Sequence, residues 1–186
     1  LKADAYGLGV MQVARALIDE GCTSFGVADV EEAMELNELG LAIHILGDIL
    51  TEEMALVVEH GFVAPLTSYD QVCLLNEEAL RQQKIIQGHF LVDSGMGRLG
   101  IYIDEALQTI LSCRQFTHIN FDGIYSHFPF AYGDEDFSNN QVENFVDLIE
   151  NLSAQGMTFK QIHMANSDGI HNIPAAFQKP FNTVRT

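Results

Sequence analysis

Apolar residues recur along this chain in two alternating rhythms. Short, mostly apolar runs lead into small or polar residues, and longer segments follow in which apolar positions fall three and four apart. In residues 11–20, Val13, Ala14, Leu17 and Ile18 fall on one side of a helix, and Gly21 supplies its stop. The same pattern predicts strands at 24–28, 42–46, 62–66, 88–93, 120–126, 161–164 and 181–184. Between them it predicts helices at 30–39, 51–60, 68–83, 104–113 and 138–155, with Ser68 as a cap and a short helix or turn near Asp168.

Strands and helices that alternate through short connections form a parallel sheet with crossover helices, closed into a barrel or left open and doubly wound. Counting the strands favours closure. Six complete candidates, a seventh at the end and one implied just before Lys2 make eight. Polar and glycine residues also gather where strands end, at Lys2, Asp93, His127, Asn166 and Arg185. Those ends line the catalytic face of a (β/α)8 barrel. The predicted class is therefore α/β, a (β/α)8 TIM-type barrel incomplete at both ends. The chain opens on Leu1 rather than Met and stops after a strand-like approach to Thr186, the pattern of a piece of a larger protein.

Composition narrows the function classes. A 47% apolar content suits a globular domain, and no apolar run reaches the ~20 residues of a membrane span. The 26 acidic against 9 basic residues give a net charge of −17, a field that repels nucleic acid. Cys22, Cys73 and Cys113 are scattered, with no metal-ligand spacing, which fits reduced thiols in the cytoplasm. No metal site is predicted.

The residues that bear chemistry lie at the strand ends. Lys2 opens Lys-Ala-Asp-Ala-Tyr-Gly-Leu-Gly, where Gly7 and Gly9 permit a sharp turn and Tyr6 is free to point back. A partly desolvated lysine there is an amine nucleophile for an aldehyde; a lysine near a terminus is otherwise a solvated charge. Residues 92–100 put three glycines in six positions after an apolar strand, a tight turn that presents Arg98 either to a carboxylate or phenolate or simply to water. His127 ends the strand Gly-Ile-Tyr-Ser, as a ligand-facing ring or a structural one. Asn166 and Ser167 close the next strand, as phosphate ligands or a helix cap, and Arg185 closes the last.

Taken together, these motifs resemble those of the alanine racemases. Lys-Ala-Asp-Ala-Tyr-Gly-Leu-Gly and Asp-Ser-Gly-Met-Gly-Arg-Leu-Gly resemble the two most specific signatures. Gly-Ile-Tyr-Ser-His-Phe, Ala-Asn-Ser and Val-Arg follow in the family's order, so the resemblance covers nearly the whole chain. It implies a partial N-terminal barrel domain over residues 1–186, lacking the family's C-terminal β-domain. It implies that Lys2 carries pyridoxal 5'-phosphate as an internal aldimine and acts as one of two bases. Tyr6, Asn166 and Ser167 would bind the cofactor, with the phosphate on Tyr6 and Ser167. His127 would lie against the ring, Arg185 would meet the pyridine nitrogen, and Arg98 would place the substrate carboxylate. The implied reaction is the interconversion of L- and D-alanine, supplying D-alanine for the cell wall.

Two departures accompany the resemblance. Where family members often carry a lysine that steadies the arginine, this chain has Leu91, so Arg98 must be oriented by other means. The family's opposing base is a tyrosine of the C-terminal domain, donated by the partner in a homodimer, and it has no counterpart here. These 186 residues alone are accordingly expected to be inactive. A serine or broad-specificity racemase on the same scaffold, and a non-catalytic pyridoxal-phosphate carrier, are the competing readings.

Overall fold

A computed structural model describes residues 1–186. The chain divides into two compact units. The first comprises Leu1–Pro65, Leu74–Gly88 and Thr117–Asn120; the second comprises Leu66–Cys73, His89–Phe116 and Phe121–Thr186.

In the first unit, β1 (Ser24–Val27) and β2 (Ala42–Ile45) pair in parallel, with Phe25 opposite Ile43 and Val27 opposite Ile45. The sequence preceding β1 forms a single left-handed turn, α1 (Lys2–Gly7), and then the helix α2 (Val10–Asp19). Helix α3 (Val30–Leu36) joins β1 to β2 and opens on Asp29, whose side chain accepts from Glu32 N at 2.9 Å. It ends in a 3-10 turn over Asn37–Leu39, so the predicted helix 30–39 tightens at its C-terminus. A second 3-10 turn, Thr51–Glu53, leads into α4 (Met54–His60). The buried faces of these elements supply Ala14, Ala33, Leu36, Val57 and Val58 to the core of this unit. Each fully buried leucine or valine side chain among them stabilises the fold by roughly 1.5–3 kcal/mol.

Strands β3 (Ala64–Leu66), β4 (Ile86–Asp93) and β6 (Ile119–Tyr125) each begin in the first unit and end in the second. With β7 (Gln161–His163) they follow the order β3-β4-β6-β7, and the two-residue β5 (Ile101–Tyr102) lies beside β4. Helix α5 (Tyr69–Arg81) starts where expected, with Ser68 Oγ accepting from Gln71 N at 3.2 Å. Helices α6 (Ile103–Ser112), α7 (Glu135–Ala154) and α8 (Ser167–Asn172) complete the second unit, whose core includes Phe90, Phe145 and Leu152. Gly123 on β6 has no room for a side chain, because a Cβ there would come within 2.3 Å of the His89 ring. No helix is long and apolar enough to cross a membrane.

Three expectations shift. Helix α7 begins at Glu135 rather than at 138, because Asp134 accepts from Phe137 N at 2.9 Å and caps it earlier. Residues 181–184 make one bridge, His163 to Thr183, rather than a strand. The side chain of Asn182 takes the place of a ladder partner: it accepts from Ile162 N at 2.9 Å and donates to Lys160 O at 2.8 Å. The glycine-rich turn 2–9 is the third, and its backbone belongs to the site.

Candidate active site

The site residues fall into two groups, one in each unit. Lys2 and Tyr6 belong to the first. Ala3, Asp4, Ala5 and Tyr6 all take φ between 51° and 59°, a run of left-handed backbone made entirely of residues with side chains. Left-handed helical geometry costs such residues roughly 1–2 kcal/mol each, so surrounding contacts must hold it. Asp4 Oδ1 accepts from Val10 N at 2.6 Å, the Asp4 carbonyl accepts from Gly9 N at 3.1 Å, and Glu32 Oε1 accepts from Ala3 N at 2.6 Å. The turn stacks the Lys2 ammonium over the Tyr6 ring, 5.7 Å from its centroid. Both side chains are exposed, so the desolvated setting expected for Lys2 is not what this unit alone provides.

The second group begins at the end of β4. Asp93 is buried, and its carboxylate gathers the backbone that follows. Oδ1 accepts from Gly95 N, Met96 N and Gly97 N at 2.9, 2.8 and 3.1 Å, and Oδ2 accepts from Gly97 N at 2.9 Å. The loop folded around that carboxylate carries Arg98, exposed, one residue beyond the cage. It then returns to pair with its own strand, Val92 opposite Ile101. Gly100 makes the return possible: its φ is +115°, and a Cβ there would lie 2.7 Å from the Leu91 carbonyl. Leu91 itself is buried, and the caged loop carries Arg98 in the chain. Asp93 was visible in the sequence only as a polar strand end; its caging role depends on where three later amides point.

A buried polar chain ties this loop to β6. Ser94 Oγ and Ser126 Oγ lie 2.7 Å apart, and Gln141 Nε2 of α7 donates to Ser94 Oγ at 3.3 Å. Nothing in the sequence pattern distinguished Gln141 from the polar face of its helix.

Arg185 reaches the same strand ends. Its Nη2 donates to the carbonyls of Ser126 at 2.8 Å and Met164 at 3.4 Å, and to His127 Nδ1 at 2.9 Å. Arginine has no acceptor, so His127 Nδ1 accepts and the ring proton of neutral His127 sits on Nε2. The guanidinium lies 5.2 Å from the Tyr125 ring centroid, and Tyr125 stacks on His163 at 4.9 Å. Burial is the main reason the Arg185 pKa falls to about 10; Tyr125 opposes that fall and the Arg98 cation adds to it. Arg185 and His127 are thus in direct contact, and the Arg98 charge is felt at Arg185.

Asn166 and Ser167 lie beside them. Arg185 N donates to the Ala165 carbonyl at 3.0 Å. Asn166 Oδ1 caps α8 by accepting from Gly169 N at 2.9 Å, and its Nδ2 donates to Phe128 O at 3.3 Å. Ser167 is exposed at the first position of the helix.

The whole chain, residues 1–186, matches the family described as alanine racemase, N-terminal domain. The alanine racemase of Carboxydothermus hydrogenoformans is 35% identical over 180 residues, which cover 95% of this chain and 48% of that protein. The alanine racemase of Thermodesulfovibrio yellowstonii is 36% identical over 177 residues, again 95% and 48%. Among solved structures, the alanine racemase of Clostridium difficile is 28% identical with a TM-score of 0.92, covering 99% of this chain and 48% of that one. The chain thus spans about half the length of the curated relatives it matches. The likeness bears out the predicted α/β, (β/α)8-type fold class.

Proposed function

Because this chain belongs to the alanine racemase N-terminal domain family, we propose that the complete polypeptide interconverts L-alanine and D-alanine with pyridoxal phosphate held on Lys2. The observation that carries this reading is the state of Arg185. It is a cation whose hydrogen-bond partners are two carbonyls and a neutral imidazole, with no carboxylate among them.

The donor set suits the cofactor. Lys2 offers a primary amine on a strained, exposed turn, the group that condenses with an aldehyde. Nη2 makes all three side-chain hydrogen bonds of Arg185, which leaves Nε and Nη1 as donors toward a ring nitrogen. Even at about 10, the Arg185 pKa keeps the guanidinium charged at neutral pH, so it donates to that nitrogen without surrendering its proton. The Tyr6 hydroxyl and the exposed Ser167 hydroxyl would supply phosphate contacts, and Asn166 stands next to Ser167 in the chain.

Pyridoxal phosphate, when bound, takes up the electron pair left as an amino acid loses its α-hydrogen. Arg185, which keeps its proton, would leave a ring nitrogen held against it unprotonated, and the weaker electron sink would favour prompt return of the proton. Lys2 Nζ removes or returns the proton on one face. His127, fixed through Nδ1, would lie against the cofactor ring, with its proton on Nε2. Arg98, carried by the caged loop, binds the substrate carboxylate. The base for the opposite face would be a tyrosine contributed by the partner in a homodimer, as the family resemblance implies. The product D-alanine supplies cell-wall synthesis.

The test is to incubate the complete polypeptide with pyridoxal phosphate, reduce with borohydride and map the added mass. A single adduct on Lys2, with alanine racemisation abolished in K2A, is the expected result. Racemisation that survives K2A, or an adduct confined to other lysines, would overturn the assignment.

A further inference from the structure

We propose that Glu32 is a positioning residue for Lys2, a clamp that locks the left-handed turn onto the end of β1. This rests on the reading of Lys2 as the cofactor lysine. Glu32 stands three residues after the helix cap Asp29, where a glutamate ordinarily turns back to the backbone N–H of the cap residue itself. Here its carboxylate is diverted to two other amides. Oε2 accepts from Ala28 N at 2.7 Å, just past β1, and Oε1 accepts from Ala3 N at 2.6 Å, the residue after Lys2.

One half-buried side chain thus joins the turn to the strand, across 29 positions of sequence on one side and 4 on the other. Ala3 is the first of the left-handed residues, so its amide is where the unusual backbone starts. Asp4 closes the far side of the turn through Val10 N, and among the side chains of the unit Glu32 alone holds the near side. A carboxylate suits the task because its two oxygens accept independently. Glutamine keeps one acceptor and sets an NH2 group against an amide N–H, and alanine keeps neither.

The experiment compares E32Q and E32A with the unaltered complete polypeptide, and uses E31A, an exposed neighbour on the same helix, as control. Two quantities are measured. One is the exchange rate of the Ala3 amide without cofactor. The other is the rate at which pyridoxal phosphate becomes fixed to Lys2 under borohydride. Loss of a charge-assisted hydrogen bond predicts Ala3 exchange faster by roughly tenfold to a hundredfold in E32A. Lys2 labelling is expected to slow by about tenfold or more in the same variant, with E32Q between it and E31A.

Unchanged exchange at Ala3 would overturn the clamp. So would labelling of Lys2 in E32A at the unaltered rate. If the unaltered protein does not label at Lys2, the cofactor reading fails by itself, and the exchange measurement still decides the clamp. Should E32A fail to fold, the comparison of E32Q with E31A carries the same decision.

Discussion

Replacing Asp93 by asparagine changes one atom and removes one charge at the centre of the loop that carries Arg98. The carboxylate is buried, and its Oδ1 serves three backbone amides within 3.1 Å. Asparagine leaves an oxygen in that position, so the three bonds persist as neutral ones. A hydrogen bond to a charged group contributes about 1.5–3 kcal/mol and a neutral one about 0.5–1.5, a loss of about 1 kcal/mol for each. The amide nitrogen of asparagine also replaces Oδ2, which accepts from Gly97 N at 2.9 Å, and sets two donors face to face. The three Oδ1 bonds alone sum to about 3 kcal/mol, to which the opposed donors only add, a large part of the ~5–15 kcal/mol that stabilises a typical domain. For a domain of this size that lowers the melting temperature by roughly 6–12 °C. Urea unfolding of D93N, read as a shift in midpoint at constant slope, measures it. A loss below about 1 kcal/mol would mean that water replaces the carboxylate and that the cage does not order the loop. In the racemase assay the same variant should lose kcat/KM, because Arg98 lies one residue beyond the cage.

Three further outcomes follow from the same contacts. His89 is buried 3.2 Å from Asp122, and burial pushes its pKa down to about 4 from 6.5. The unfolded chain therefore binds the proton first as pH falls: stability is complete above about 6.5 and declines toward pH 4 by about 3 kcal/mol. Urea unfolding from pH 8 to 4 should show this decline, and H89Q should flatten it; an unchanged slope in H89Q would refute the assignment. Gly100→Ala places a Cβ 2.7 Å from the Leu91 carbonyl at a φ of +115°, so it should cost about 3 kcal/mol in thermal unfolding, and a neutral result would contradict the close approach. Burial lifts the Cys113 thiol to about 12, so at pH 8 only about one molecule in ten thousand carries its thiolate. Peptide mapping after brief alkylation should find Cys22 and Cys73, both half-buried, modified well before Cys113.

Much of this protein is local, and what is local was legible in the sequence. Helix α2 announces itself through Val13, Ala14, Leu17 and Ile18, because a period of 3.6 residues is a property of neighbours along one chain. Ser68 capping α5 and the alternation of parallel strands with helices follow from equally short-range rules. Lys2, Asp93, His127, Asn166 and Arg185 were visible as polar groups at strand ends, and Arg98 in the glycine loop that follows one. Their company was not. That Arg185 holds His127 through Nδ1 depends on a contact across 58 positions, and the Gln141 bond to Ser94 spans 47. No window of sequence reports on either.

The left-handed turn makes the same distinction most sharply. Gly7 and Gly9 signalled a bend, but Ala3, Asp4, Ala5 and Tyr6 have no intrinsic preference for the backbone they adopt. Local propensity argues against it. The bond from Ala3 N to Glu32, 29 positions away, and the short-range bonds of Asp4 with Val10 and Gly9 offset the cost, because these acceptors replace the partners that ordinary helical backbone would have had. The sequence by itself determined which elements form and which residues stand at their ends; folding decided how the lysine is held and which side chains surround the arginine.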